Sequence, residues 1–247
     1  MRYKLTMEYD GSAFHGFQRQ SKLVSVQSTL EEAIKLILKE DVIINGAGRT
    51  DALVHAKGQV AHFDTNVLIP TKNLKKILNK RVYPNIYIKD VEIVDNSFHA
   101  RISATKKEYH YFVSLNEYSP FLSRYIYFHH NRIDLEKIKT AMKYFIGTHD
   151  FTSFSKGVKD KNPVRTIYSF DLIEKDGILE FIIIGNGFLH NMVRIIIELL
   201  MRIGEGKYPS DYPIYCFDKK ERSTCPYKAP AEGLYLWKVY YENEKNI

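Results

Sequence analysis

Apolar and polar positions alternate over Arg2–Tyr9. Tyr3, Leu5, Met7 and Tyr9 fall on one face and Arg2, Lys4, Thr6 and Glu8 on the other, the period of two that marks a half-buried strand. Asp10-Gly11-Ser12 ends it. The period then changes: Leu30, Ala33, Ile34, Ile37 and Leu38 form an apolar stripe at helical spacing. Ser28 with Glu31 fits a capping box at its start, or Ser25 caps one turn earlier. Short strands are expected at residues 42–45 and 59–64. A second helix is expected around Leu74, Ile77 and Leu78, and a strand over Ile86–Val94. The order is β-α-β-β-α-β, a ferredoxin-like unit.

The second half repeats that order without obvious sequence similarity. Residues 106–115 alternate as a strand. Asp134 caps a helix carrying Leu135, Ile138, Met142 and Phe145, and Gly147 stands where the residue just past a helix end would be. Val164–Lys175 and residues 178–184 flank Asp176-Gly177, a hairpin signal. Residues 188–203 are apolar nearly all round and predict a largely buried helix. Leu234–Tyr241 alternates as a last strand. The expected class is α+β, two tandem ferredoxin-like halves, 1–102 and 103–247. No low-complexity linker separates them, so one shared sheet or a tight interface with a cleft is expected.

Composition narrows the function classes. The 247 residues carry 36 Lys+Arg against 29 Asp+Glu, a formal net charge of +7. That excess suits a polyanion, because each neutralised phosphate releases condensed counterions. The 18 Tyr and 14 Phe often stand beside cations, as in Lys106-Lys107-Glu108-Tyr109-His110-Tyr111. Such interleaving suits phosphate contact with base stacking, and equally a half-buried strand. Cys216 and Cys225 form no CxxC knuckle and no disulfide framework. The most apolar stretch, 195–203, is interrupted by Glu198 and Arg202 and is too short to span a bilayer. With no signal peptide at Met1, the expected location is cytoplasmic.

Three places could carry chemistry. Gly46-Ala47-Gly48-Arg49-Thr50-Asp51 packs two glycines, a cation and a carboxylate between two short strands. It matches neither a Walker nor a Rossmann loop, and by its residues alone it reads as a site loop or a structural turn with a local ion pair. Arg194 sits inside the apolar helix, where a buried guanidinium asks for a carboxylate partner unless it snorkels to the surface. His149-Asp150 is a lone dipeptide that could suggest a metal-dependent phosphohydrolase. His129-His130 makes a poor metal pair, because neighbours on a strand face opposite ways.

Residues 46–56, Gly-Ala-Gly-Arg-Thr-Asp-Ala-Leu-Val-His-Ala, resemble the signature loop GAGRTDAGVHA of the tRNA pseudouridine synthase A family. Tyr9-Asp10-Gly11-Ser12 with Gly16-Phe17-Gln18-Arg19-Gln20 is similar to its N-terminal YDGS…GWQRQ, and residues 25–31 and 58–63 follow in order. Phe98-His99-Ala100-Arg101, Tyr109-His110-Tyr111, residues 149–154, Arg165-Thr166-Ile167, residues 188–194 and 231–236 complete the set, which absorbs the His149-Asp150 dipeptide. The resemblance implies a fold of two ferredoxin-like halves around a central mixed sheet. It implies conversion of uridine to pseudouridine at tRNA positions 38, 39 and 40, without a cofactor or metal, by a homodimer that binds tRNA. It implies Asp51 as nucleophile and Arg49 as the residue that displaces the target nucleotide. It further implies Tyr109 as the ring that stacks on the flipped uracil and assists proton removal, and Arg194 as the partner of the nucleophile. Two positions depart from the pattern. Leu53 stands where the signature has Gly, a strain on the order of 1–3 kcal/mol if the backbone there needs positive φ, and Phe17 replaces Trp. The alternatives are a divergent paralogue acting on another RNA and an RNA binder without catalysis. An intact Asp51 is what a pure binder would not need.

Overall fold

The computed structural model of the chain describes residues 1–157 and 162–242. Among these, ten strands and five α-helices make a mixed α+β fold. The chain divides into two compact units, one of Met1–Thr105 with the strand that runs from Tyr235, the other of Lys106–Leu234.

In the first unit, β1 (Arg2–Tyr9) runs antiparallel to β3 (His55–Asp64) on one side and to β4 (Ile86–Val94) on the other. The short β2 (Asn45–Gly46) pairs antiparallel with β3, and β10 (Leu234–Tyr241) pairs with it in parallel, Tyr235 opposite His55. Of the strand expected at 42–45, only its end pairs, although Val42 and Ile44 are buried. The alternation in β1 is kept: Tyr3, Leu5, Met7 and Tyr9 are all buried. In β4 it breaks, because a bulge opposite Thr6 and Met7 lets Leu5 face Val91 while Met7 faces Ile88. One extra residue flips the parity, so Ile88 and Val91 both point inward.

Helix α1 (Val26–Leu38) is capped by Ser25, whose side chain accepts from the Ser28 N–H, with Ser28 completing the box. Glu31 is therefore not the box partner. Its Oε1 accepts from Gln27 Nε2 at 2.8 Å and from the Ile44 amide at 3.1 Å, and its Oε2 pairs with Arg19. This ties the start of α1 to the chain leading into β2. Helix α2 (Thr71–Val82) buries Leu74, Leu78 and Val82, and Asn79 fastens it to β4 through both directions of bonding with Ile88.

In the second unit, β5 (Ala104–Ser114), β9 (Ile178–Gly185), β8 (Val164–Lys175) and β7 (Gly147–Asp150) pair antiparallel in that order, with β6 (Tyr127–Phe128) parallel to β5. Asp176 and Gly177 both have positive φ, 52° and 73°, as a two-residue hairpin with right-handed strand twist requires. Helix α3 (Leu135–Met142) is capped by Asp134, which accepts from two backbone N–H groups. Gly147 does not end that helix: a 3₁₀ turn over Lys143–Phe145 intervenes, and Gly147 (φ 110°) opens β7. Helix α4 (Met192–Gly204) starts four residues later than its apolar run, because Asn191 sits left-handed at φ 63° and resets the chain. It is buried along almost its whole length, as its pattern predicts. Neither β7 nor α5 (Tyr212–Lys219) is foreseen by the periodicity.

Candidate active site

The glycine-rich loop leaves β2 at Gly46 and re-enters the sheet at His55. A buried clamp holds it from beneath. The Ala47 N–H donates to Val60 O at 2.7 Å, and Gln59 Nε2 donates to Gly48 O at 2.9 Å. Thr50 Oγ1 bonds the Tyr9 hydroxyl at 2.8 Å, and the Thr50 carbonyl accepts from the Phe17 N–H at 3.0 Å. Burial pushes the Tyr9 phenol up to about 12 against the opposite pull of its Thr50 and Gln59 bonds, so it stays neutral and serves as a fixed strut. With Ala47 and Thr50 buried and pinned, Arg49 is left exposed and Asp51 half-buried. Among the described residues no hydrogen bond or ion pair engages the Arg49 side chain.

Two glycines of the N-terminal segment are needed for this packing. A Cβ at Gly16 would come within 2.8 Å of Thr50 O, and one at Gly11 within 2.1 Å of Val54 O. Gly11 N–H also donates to His55 Nδ1 at 3.0 Å, and His55 stacks on Tyr235 with ring centroids 4.6 Å apart. Phe17 lies against Gly46, where a Cβ would meet its ring at 2.4 Å. The segment 9–17 is thus the backing plate of the loop 46–54.

Past the carboxylate the chain turns sharply. Val54 N–H donates to Asp51 O at 3.2 Å, closing a four-residue turn whose third residue is Leu53. Leu53 has φ 68°, the conformation that glycine adopts without steric cost. The positive φ conditionally expected at this departure from the signature is present, and Leu53 is 45% exposed.

The second unit holds Tyr109 and Arg194. Tyr109 is on β5 opposite Ile183 and packs edge-on against Phe188, centroids 5.1 Å apart. Tyr111, on the same face, is fully buried and donates to Pro230 O at 2.8 Å. Burial drives its phenol well up, opposed by the positive charge of Arg194. Arg194 is only 8% exposed and does not snorkel. Its Nε donates to Ala229 O at 2.8 Å and Nη1 to Asn191 Oδ1 at 3.3 Å, while its own carbonyl accepts from the Ala229 N–H. Gly233 has no room for a Cβ, which would lie 2.8 Å from both Phe112 O and the Tyr111 ring.

The remaining motifs are structural where they are described. His149 Nε2 meets Ile146 O at 3.0 Å and its ring stacks on Phe217. Asp150 accepts from the N–H and hydroxyl of Thr152 and pairs with Lys220. Both groups are engaged within the fold. Phe98 to Arg101 fastens the first unit, with Arg2 donating to Phe98 O, Tyr241 to Ala100 O and the Ala100 N–H to His62 Nδ1. Among the described residues no three His, Cys, Asp or Glu side chains gather as metal ligands would. Sequence patterns mark Arg49, Asp51, Tyr109 and Arg194, but not Tyr9, Thr50 and Gln59 as the support of the loop that carries Arg49 and Asp51. Tyr9 and Gln59 lie inside quoted motifs, yet their pairing is a contact across fifty residues that spacing does not reveal.

The family model for tRNA pseudouridine synthase matches residues 5–102 and 141–242. A protein named tRNA pseudouridine synthase A from Geobacillus sp. (strain WCH70) is 45% identical over 98% of this chain and 99% of its own length. Proteins of the same name from Clostridium kluyveri and Bacillus subtilis (strain 168) are 42% and 43% identical, covering 96% and 98% of this chain. No helix among the described residues is long and apolar enough to cross a membrane. With a match that takes in both the clamped loop around Asp51 and the segment around Arg194, the chain belongs to the tRNA pseudouridine synthase family.

Proposed function

We propose that this chain is an isomerase that converts uridine to pseudouridine at positions 38, 39 and 40 in the anticodon stem-loop of tRNA. The observation that carries the reading is the loop itself: a clamp pins Ala47 and Thr50 and leaves the two chemically competent residues accessible, Arg49 exposed and Asp51 half-buried. The reaction breaks the N1–C1′ bond, turns the uracil and joins C5 to C1′, with the C5 proton lost and a proton taken up at N1. Its atoms balance without oxidant or reductant, so no cofactor is required. Asp51 is the nucleophile, since a positioned carboxylate forms a covalent intermediate and divides one hard step into two easier ones. Reaction inside a stem needs the nucleotide extruded. Arg49, exposed and without a partner among the described residues, is the side chain that enters the vacated stack. Tyr109 stacks on the flipped uracil and assists removal of the C5 proton, and Arg194 pairs with the nucleophile.

In this reading residues 1–102 form a ferredoxin-like half that carries the nucleophile loop, and 103–247 form a second that supplies Tyr109 and Arg194 and whose last strand, β10, joins the first unit by pairing with β3. The antiparallel order β4-β1-β3-β2, with α1 and α2 as the crossovers, supports the first of these. The protein acts in the cytoplasm as a homodimer on tRNA. Light scattering should return twice the 28.9 kDa chain mass, and a monomer mass overturns the dimer.

The test is incubation with an unmodified tRNA carrying uridines at 38 to 40, followed by mapping of pseudouridine. The wild type should modify those sites. Asp51→Ala should bind tRNA as tightly and form no product; product formation by the variant would remove Asp51 from its role. A wild type that binds tRNA and modifies nothing would favour the non-catalytic reading.

A further inference from the structure

Helix α2 is unusual in charge. Its twelve residues carry Lys72, Lys75, Lys76, Lys80 and Arg81 and no carboxylate. Lys72 with Lys76, and Lys76 with Lys80, are like charges one turn apart, which repel on the helix surface. Lys72 also stands in the first turn, where the helix dipole disfavours a cation, and Pro70 offers no capping side chain. Among the described residues none of the five cations is ion-paired. Lys75 spends its ammonium on the carbonyl of Lys89, and Lys89 on that of Lys57. Lys72, Lys76, Lys80 and Arg81 are exposed.

The surface continues beyond the helix. Tyr83, the residue that follows the helix, is 80% exposed, so a ring stands at the end of the row of cations. The helix is held rigidly by its buried leucines and by Asn79 on Ile88, so the cations present a fixed spacing. Its packing partners are β4 and α1.

We propose that the exposed face of α2, with Tyr83, is a docking surface for the phosphodiester backbone of the RNA substrate, distinct from the loop that carries Asp51. Charge complementarity selects this occupant: an uncompensated row of cations beside an exposed ring matches a polyanion with stackable bases. The identity of that polyanion as tRNA rests on the proposed function.

The experiment compares the full-length chain with Lys72→Glu/Lys76→Glu/Lys80→Glu. A control of equal charge change, Lys137→Glu/Lys139→Glu/Lys143→Glu, lies in the other unit. Binding of unmodified tRNA is followed by fluorescence anisotropy across a salt series, with thermal melts to establish folding. The α2 variant should lose roughly 10–100-fold in affinity and flatten the slope of log affinity against log salt by about 0.9 per lost phosphate contact. Its KM should rise while kcat for pseudouridine formation is unchanged, and the Lys→Arg triple variant should bind as wild type does. An unchanged salt slope overturns the proposal, and so does an equal loss in the control, which would mean net charge alone is read. A wild type that binds tRNA without modifying it would sink the enzymatic reading and leave this docking result standing.

Discussion

At the scale of single residues, Leu53 holds a left-handed backbone at a position where the signature loop that residues 46–56 resemble has glycine. A non-glycine residue in the left-handed region costs roughly 1–2 kcal/mol, whereas glycine there costs roughly 0.5–1 kcal/mol more chain entropy on folding. Leu53 is largely exposed and gains little burial in return. Leu53→Gly should therefore raise stability by about 0.5–1 kcal/mol, read as a higher urea midpoint at unchanged m-value. Leu53→Ala keeps the steric penalty and should not stabilise. A glycine variant no more stable than the alanine one would mean the turn does not take φ 68° in solution. The sequence disclosed the substitution and the condition under which it strains. Only the turn closed by Val54 N–H on Asp51 O established that the condition holds.

At the scale of elements, legibility followed whether a segment makes its own structure or borrows it. Strand β1, the β8–β9 hairpin, the Asp134 cap and the buried α4 announce themselves, because period, turn residues and caps are local properties. β7 does not. Gly147 to Asp150 show no alternation, and their extended form comes from pairing with residues 164–167 of β8. α5 was hidden by aromatics and by Pro213, which is harmless at the start of a helix where its missing N–H has no partner to lose. The bulge in β4 is of the same kind: it is fixed by register against β1 and leaves in the sequence only a broken alternation. The candidate site divides likewise. Asp51 and Arg49 are conspicuous as residue types in a glycine-rich turn, but the Tyr9–Thr50–Gln59 support is a long-range arrangement.

At the scale of the whole molecule, each unit buries a histidine that the fold holds neutral, and this sets the response to acid. His62, in the first unit, is 2% exposed and accepts the Ala100 N–H. Burial, assisted by the charges of Arg2 and His99, lowers its pKa to about 4. His129, in the second, is lowered chiefly by burial, with Lys207 and His130 adding to it and Glu205 opposing it. An unfolded histidine titrates near 6.5. Between that value and the folded one the unfolded chain binds more protons, so stability is present above about 6.5 and is lost as pH falls toward 4. Asp64, hydrogen-bonded by Arg2, is held below the ordinary carboxylate value and acts only at the acid end of this window and below it. The histidine window is thus separable. Urea midpoints measured from pH 7 to 4.5 should decline for the wild type. His62→Gln keeps an acceptor for the Ala100 N–H but cannot take up a proton, so its midpoint should decline less steeply and the two curves should converge as pH falls. Parallel curves would mean that His62 is not a source of the acid sensitivity.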